Sequence, residues 1–241
     1  MNIGPGAVVR TGNQLLESLP ASEMEQLRPL IERVHVDVGA VLYEAGCPIR
    51  YIYFPDDAVI SMLAVAGGRM TLEVGLVGRE GMLGATLPLG HDVGQVRAIV
   101  QREGKVSRIE AGAFRTEFMR NPRLQRVVYR YTDMLLAQAI QIAVCSRFHV
   151  LEARLARSLL VTRDRLDSDK FHLTHEFLAH ALGVRRVGVT KAASALQAQG
   201  LINYSRGNIE ILDPAGLAAV SCQCYEIVKE AEDNPPPALF A

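Results

Sequence analysis

Four cations crowd one stretch near the C-terminal end. Arg185, Arg186, Lys191 and Arg206 fall between Thr174 and Asn208, where Glu176 is the only acid. Guanidinium and ammonium groups gathered this way neutralise phosphates, and an Arg presented at the start of a helix can reach guanine edges in a DNA major groove. The chain as a whole is neutral, with 26 basic against 26 acidic residues, so any attraction for nucleic acid is local. Other sets with chemical potential are weaker. His175-Glu176-Phe177-Leu178-Ala179-His180 has the residue types of a zinc-protease helix but not the spacing, because histidines five apart stand about 140° apart around a helix axis. Cys222-x-Cys224 has a single intervening residue and no second pair, so no metal is expected. His35 and His91 are isolated, and no phosphate-binding glycine loop or serine elbow is present. The chain is therefore not expected to be an enzyme.

The cations need elements to hold them. Thr174 is a suitable cap for a helix with Leu178 and Leu182 on one face, and Gly183 ends it where a positive φ is cheap. Ala179 supplies the small residue and Leu178, Leu182, Val184, Val189 and Ala192 the apolar contacts that two helices joined by a short turn require, the spacing of a helix-turn-helix. The second helix continues through Leu196 and Gln199 to Gly200. Leu201 to Asp213 then reads as two alternating strands around a Gly-containing turn, a wing that carries Arg206.

Upstream the texture differs. From Val34 to Glu110 short apolar runs (Val41–Tyr43, Tyr51–Phe54, Val59–Leu63, Thr71–Val74, Ala98–Val100) are separated by Gly, Pro and Asp, the pattern of a small sandwich or barrel. Helices are expected around it, from Leu15 to Ile31 with Ser22 as a cap and from Ala113 to Met119. Asn121-Pro122 opens a long helix to about Arg147, because Asn caps well and Pro suits the first helical position. Alternating steps of four and three pick out Leu124, Val128, Tyr131, Leu135, Gln138, Ile142 and Cys145 as a coiled-coil-like dimer seam. A second apolar face (Val127, Met134, Leu136, Ala139, Ile140, Ala143, Val144) leaves one side for the barrel and one for a partner. Another helix runs from about His149 to Arg165, with Leu151, Leu155 and Leu159 on one face. The class is α+β: a jelly-roll-like β-roll over 1–120, a dimerisation helix over 121–147, a winged helix-turn-helix over 148–231 and a disordered tail over 232–241.

The order of roll, long helix, helix-turn-helix and wing, with Arg206-Gly207-Asn208-Ile209-Glu210-Ile211 closing it, resembles the CRP/FNR superfamily of bacterial transcription regulators. Val38 to Gly46 looks like the opening strand and turn of that family's cyclic-nucleotide-binding fold. The resemblance implies a homodimer that binds double-stranded DNA at a pseudo-palindromic operator, with RNA polymerase as partner for an activator. It puts DNA contacts at Arg185, Arg186, Val187, Thr190, Lys191 and Arg206. Val187 departs from the pattern, since many relatives have a Glu there that accepts from cytosine, and Arg185 replaces a Ser cap.

On the sensor side, relatives that bind cyclic AMP carry Gly-Glu and, about ten residues on, Arg-Ser. Here Gly84-Ala85 and Gln95-Val96 take those places, with Arg97 one position off and Gln138 a polar residue in the seam, so the signal is expected not to be classical cyclic AMP. No cofactor is expected: the first 46 residues hold no cysteine for an iron–sulfur cluster, His91 is the sole candidate haem ligand in the cassette region, and it reads as a loop residue. Cys145 reads as a buried thiol, or as an intersubunit bridge under oxidation. The opening MNIGPGAVVR has no basic stretch followed by an apolar run, and no stretch of 18 apolar residues occurs, so a cytoplasmic protein without a membrane partner is expected. A different class, a nucleotide-sensing module acting through protein partners, would account for the roll but leave the helix-turn-helix and wing without a role.

Overall fold

The structure, a computed structural model, describes residues 11–67 and 70–233. The N-terminal half begins with two short helices, α1 (Gln14–Glu17) and α2 (Ala21–Leu27). Seven strands follow: β1 (Glu32–Val36), β2 (Val41–Tyr43), β3 (Tyr51–Pro55), β4 (Val59–Val65), β5 (Thr71–Val77), β6 (Arg97–Arg102) and β7 (Gly104–Glu110). They pair antiparallel into two sheets, β1-β7-β3 and β2-β6-β4-β5. Val36, Tyr53, Ile60, Val77, Leu83, Ala98, Val100 and Val106 fill the space between the sheets. The expected runs all lie in strands. Strands β1 and β7 were hidden because their apolar residues are interleaved with Arg33, His35, Lys105 and Arg108, the alternation of a sheet with one wet face.

Asn13, fully buried, accepts from the Leu16 amide and donates its own amide to the carbonyls of Pro55 and Gly81, so it caps α1 and ties it to the roll. Ser22 is not a cap. It lies inside α2, which starts after Pro20, and its hydroxyl donates to Glu23.

Helix α3 (Ala111–Arg120) leads into α4 (Pro122–Phe148), where the Asn121 side chain accepts from the amides of Arg123 and Leu124. The stripe read as a dimer seam faces inward. Leu124, Val128, Tyr131, Gln138, Ile142 and Cys145 are buried inside the chain, and Leu135 is half-buried. Leu124, Val128 and Tyr131 pack with Phe54, Ile109, Phe114 and Phe118 over the outer face of the β1-β7-β3 sheet. Close approach is possible because Gly75 and Gly81 present no side chain, and one at Gly81 would run into the Tyr131 ring. The exposed large apolar residues of α4 are instead Leu136 (59%), Ile140 (57%) and Val144 (41%) along one side, with Tyr129 before them and Phe148 at the helix end. A heptad stripe identifies an apolar face; only the packing decides which of two such faces the chain buries itself.

The C-terminal half comprises α5 (Leu151–Leu166), β8 (Lys170–His172), α6 (His175–Leu182), α7 (Arg186–Ala198), β9 (Ile202–Ser205), β10 (Asn208–Ile211), α8 (Pro214–Val220) and α9 (Cys224–Asp233). Its core gathers Leu155 and Leu159 of α5 with Leu178, Leu182, Val189, Leu196, Ile202, Ile209, Leu217 and Tyr225. Helix α9 continues to Asp233, past the expected boundary at residue 232, and residues 234–241, on which the expected tail falls, lie outside the described residues, as does MNIGPGAVVR. Among the described residues no helix is long and apolar enough to cross a membrane.

Candidate nucleic-acid interface

Helices α6 and α7 form the expected corner. The Thr174 hydroxyl accepts from the Phe177 amide at 3.1 Å, and Gly183 adopts φ 65° to end α6. Helix α7 buries Val189, Ala192, Ala193 and Leu196 against α5 and the wing. Its N-cap is Arg185 in extended conformation, with no side chain capping the first turn, so amides at this helix start remain free to meet an anion. Arg185, Arg186, Val187, Thr190 and Lys191 are all exposed there, Val187 to 60%.

The wing has a third strand beyond the two expected, giving the order β8-β10-β9. Arg206 and Gly207 both have positive φ, 50° and 89°, the two-residue hairpin turn that matches strand twist. This sets Arg206 at the exposed tip. His172 of β8 lies 3.0 Å from Asn208 across the sheet and closes the turn from beneath.

The sequence offers His175 only as a metal ligand, and the structure gives it another place. Its ring stacks on Tyr204 of the wing, with centroids 4.1 Å apart, and its Nδ1 lies 3.0 Å from Thr190 Oγ1. The Thr190 hydroxyl also donates to the Arg186 carbonyl, an arrangement that puts the imidazole proton on Nδ1. One side chain thus joins α6, α7 and the wing. Burial, with Arg186 alongside, holds its pKa below the usual imidazole value. His180 points elsewhere, toward Thr71 of β5, whose hydroxyl donates to the His180 carbonyl at 3.0 Å. Arg154 of α5 donates to the Leu182 carbonyl at 2.6 Å. Between the β4–β5 hairpin and this corner lies an open cavity of about 1050 Å³, lined by Met70, Leu72, His180, Arg185 and Arg186 among others. No motif signals the contact of Thr71 with His180, because the partners lie more than a hundred residues apart.

The residues expected to meet an effector are dispersed. Gly84, at φ 96°, backs onto Ile52, and Ala85 is buried in the core under α3 and α4. Gln95 is exposed, Val96 is half-buried, and Arg97 pairs with Glu44 at 3.4 Å, so its charge is compensated. Gln138 meets β5 at Gly75, two strands from Arg97, and its Oε1 is buried without a hydrogen-bond partner. Cys145 does not face outward for an intersubunit bridge; it is buried against Cys222 of the same chain. Cys222 and Cys224, read as lacking a second pair, have Cys145 and His149 beside them.

Residues 153–220 match the family model described as the Crp-like helix-turn-helix domain. No curated protein matches the chain. Among solved structures, FixK2 from Bradyrhizobium japonicum superposes with TM-score 0.69 at 15% identity, covering 80% of this chain and 98% of that one. The c-di-GMP responsive global regulator CLP from Xanthomonas campestris gives 0.68 at 17% identity, over 80% and 99%. A CRP/FNR family regulator from Thermus thermophilus gives 0.66 at 23% identity, over 79% and 98%. With its roll, long helix and wing in the same order as these proteins, and a Crp-like helix-turn-helix over residues 153–220, the chain has the fold of the CRP/FNR superfamily of transcription regulators.

Proposed function

We propose that this protein is a CRP/FNR-type transcription regulator that acts as a homodimer on a pseudo-palindromic operator, under a signal received by the roll that is not classical cyclic AMP. The observation that carries the reading is the exposed cationic start of α7 (Arg185, Arg186, Lys191) beside a wing tipped by Arg206. In this reading Arg186 and Val187 meet base edges, Thr190 steadies Arg186 through its carbonyl, and Lys191 and Arg206 hold phosphates. Without an acid at position 187 the preference for cytosine is lost, and an aliphatic side chain favours a thymine methyl.

The subunits pair through the exposed face of α4, centred on Leu136, Ile140 and Val144, rather than through the inward stripe. Two-fold symmetry then sets the half-sites about 10 to 11 base pairs apart. Against cyclic AMP stand the absent cassette side chains and the pairing of Arg97 with Glu44. The direct contact of β5 with α6 supplies a route by which the roll biases the DNA-binding module.

Selection of randomised duplex DNA by the purified protein, in parallel with and without cyclic AMP, tests this. The expected result is the same palindrome in both arms. Enrichment only with cyclic AMP would overturn the reading of the sensor, and no enrichment in either arm, with an intact dimer, would favour a module working through protein partners.

A further inference from the structure

Three of the four cysteines converge with a histidine at the joint between α4 and α5. Cys145 lies in the last turn of α4 and His149 is the residue that caps its C-terminal end; Cys222 and Cys224 come from the segment that enters α9. All four ligand atoms lie within 4.8 Å of one another. Cys145 Sγ is 3.5 Å from Cys222 Sγ, and Cys224 Sγ is 3.4 Å from His149 Nδ1. A zinc ion bonded to sulfur at about 2.3 Å and to nitrogen at about 2.0 Å in a tetrahedron separates its ligand atoms by about 3.5 to 3.8 Å. A disulfide would need the sulfurs at about 2.05 Å, well inside the spacing here. An iron–sulfur cluster spreads its ligands over two or more irons and requires a wider set.

We propose that Cys145, His149, Cys222 and Cys224 form a structural centre for one zinc ion per chain. The donor set is three soft thiolates and an imidazole, complete in number and with its three sulfurs buried, which leaves no open position for substrate and matches structural rather than catalytic zinc. Two positive charges against three thiolates leave the centre with one net negative charge. Arg157 compensates it: its side chain lines the small cavity beside Cys145, where a guanidinium offsets the charge of the thiolates. Arg154 lies on the same side and lines the same small cavity. Gln141, one turn before Cys145, donates from Nε2 to Cys224 Sγ at 2.9 Å, the kind of hydrogen bond that orients a thiolate ligand. The ion would join α9 to the end of α4, where buried apolar contact around the thiols is limited to neighbours such as Ala153.

Full-length protein purified without chelator under reducing conditions should carry one zinc per chain by elemental analysis. Stripped and titrated with cobalt(II), it should develop the visible bands of tetrahedral cobalt with thiolate charge transfer, saturating at one equivalent. Cys222→Ser with Cys224→Ser should abolish both signals, whereas Cys47→Ser, an exposed thiol outside the cluster, should leave them intact. Gln141→Ala should keep the stoichiometry and weaken affinity about 10- to 100-fold. Should the double variant fail to fold, His149→Cys decides, since a fourth thiolate raises the charge-transfer absorption by about one third. A protein with no metal and four freely reacting thiols, a Cys145–Cys222 disulfide in freshly reduced protein, or a metal content indifferent to the double variant would each overturn the assignment.

Discussion

Arg186 is the first residue of α7, its charge exposed and its carbonyl bonded by Thr190, so its side chain leaves the helix from a fixed backbone. Arg186→Ala should lower specific DNA affinity by about 1 to 3 kcal/mol and relax one position of the selected site, with dimer mass unchanged in light scattering. Equal loss of specific and non-specific binding would reduce it to a phosphate contact. Arg206 is set differently, in left-handed backbone where a branched-off Cβ is strained. Arg206→Asn should therefore raise the stability of the module by about 1 kcal/mol in urea unfolding while removing about one ion from the salt dependence of DNA binding. At His175 the pKa is lowered from 6.5, so the folded chain resists a proton that the unfolded chain accepts. Stability is complete above about 6.5 and declines as pH falls from there toward the folded value. His175→Phe, which keeps a ring against Tyr204, should flatten that part of the curve when urea midpoints are compared between about pH 7.5 and 5.5.

Helix α4 shows how far a sequence pattern reaches. Its cap, its proline at the first position and its length were legible from Asn121-Pro122 and the absence of breakers, and both apolar faces were legible from spacing. Which face turns inward was not, because that depends on Gly75 and Gly81, some fifty residues upstream, giving α4 room to approach the roll. The helix-turn-helix was fully legible, since cap, turn and core positions are all local; the third wing strand was not, because Phe171 pairs with Ile209 across 38 residues. The cysteine cluster was missed for the same reason, its halves lying more than seventy residues apart. In the proposed dimer, paired through Leu136, Ile140 and Val144, Ile140→Glu should place two unpaired carboxylates at the axis. Dimer affinity should fall at least 100-fold, about 3 kcal/mol, giving monomers at micromolar concentration by sedimentation. Leu124, now core, should when changed to Ala cost stability rather than assembly.

At the scale of the whole molecule, the roll and the DNA-binding module touch through β5 and α6, where Thr71 holds the His180 carbonyl. Thr71→Val keeps the shape and removes that bond, so it should cost about 1 kcal/mol and speed amide hydrogen exchange in α6 relative to α7. Contact also returns at the far end of the chain. Ile227 and Val228 of α9 lie against Met134, Gln138 and Gln141 of α4, beside the cysteines, so the polypeptide that leaves α4 at Phe148 comes back to it from Cys224 onward. Topologically the DNA-binding module is a closed ring strung from one rod, not a pendant on a hinge. A pendant is free to swing about its single attachment, whereas a ring fastened at two points turns together with the rod unless one fastening is released. A signal that moves α7 has three ways in: a push through β5 on α6, torque on α4, or the unfastening of α9.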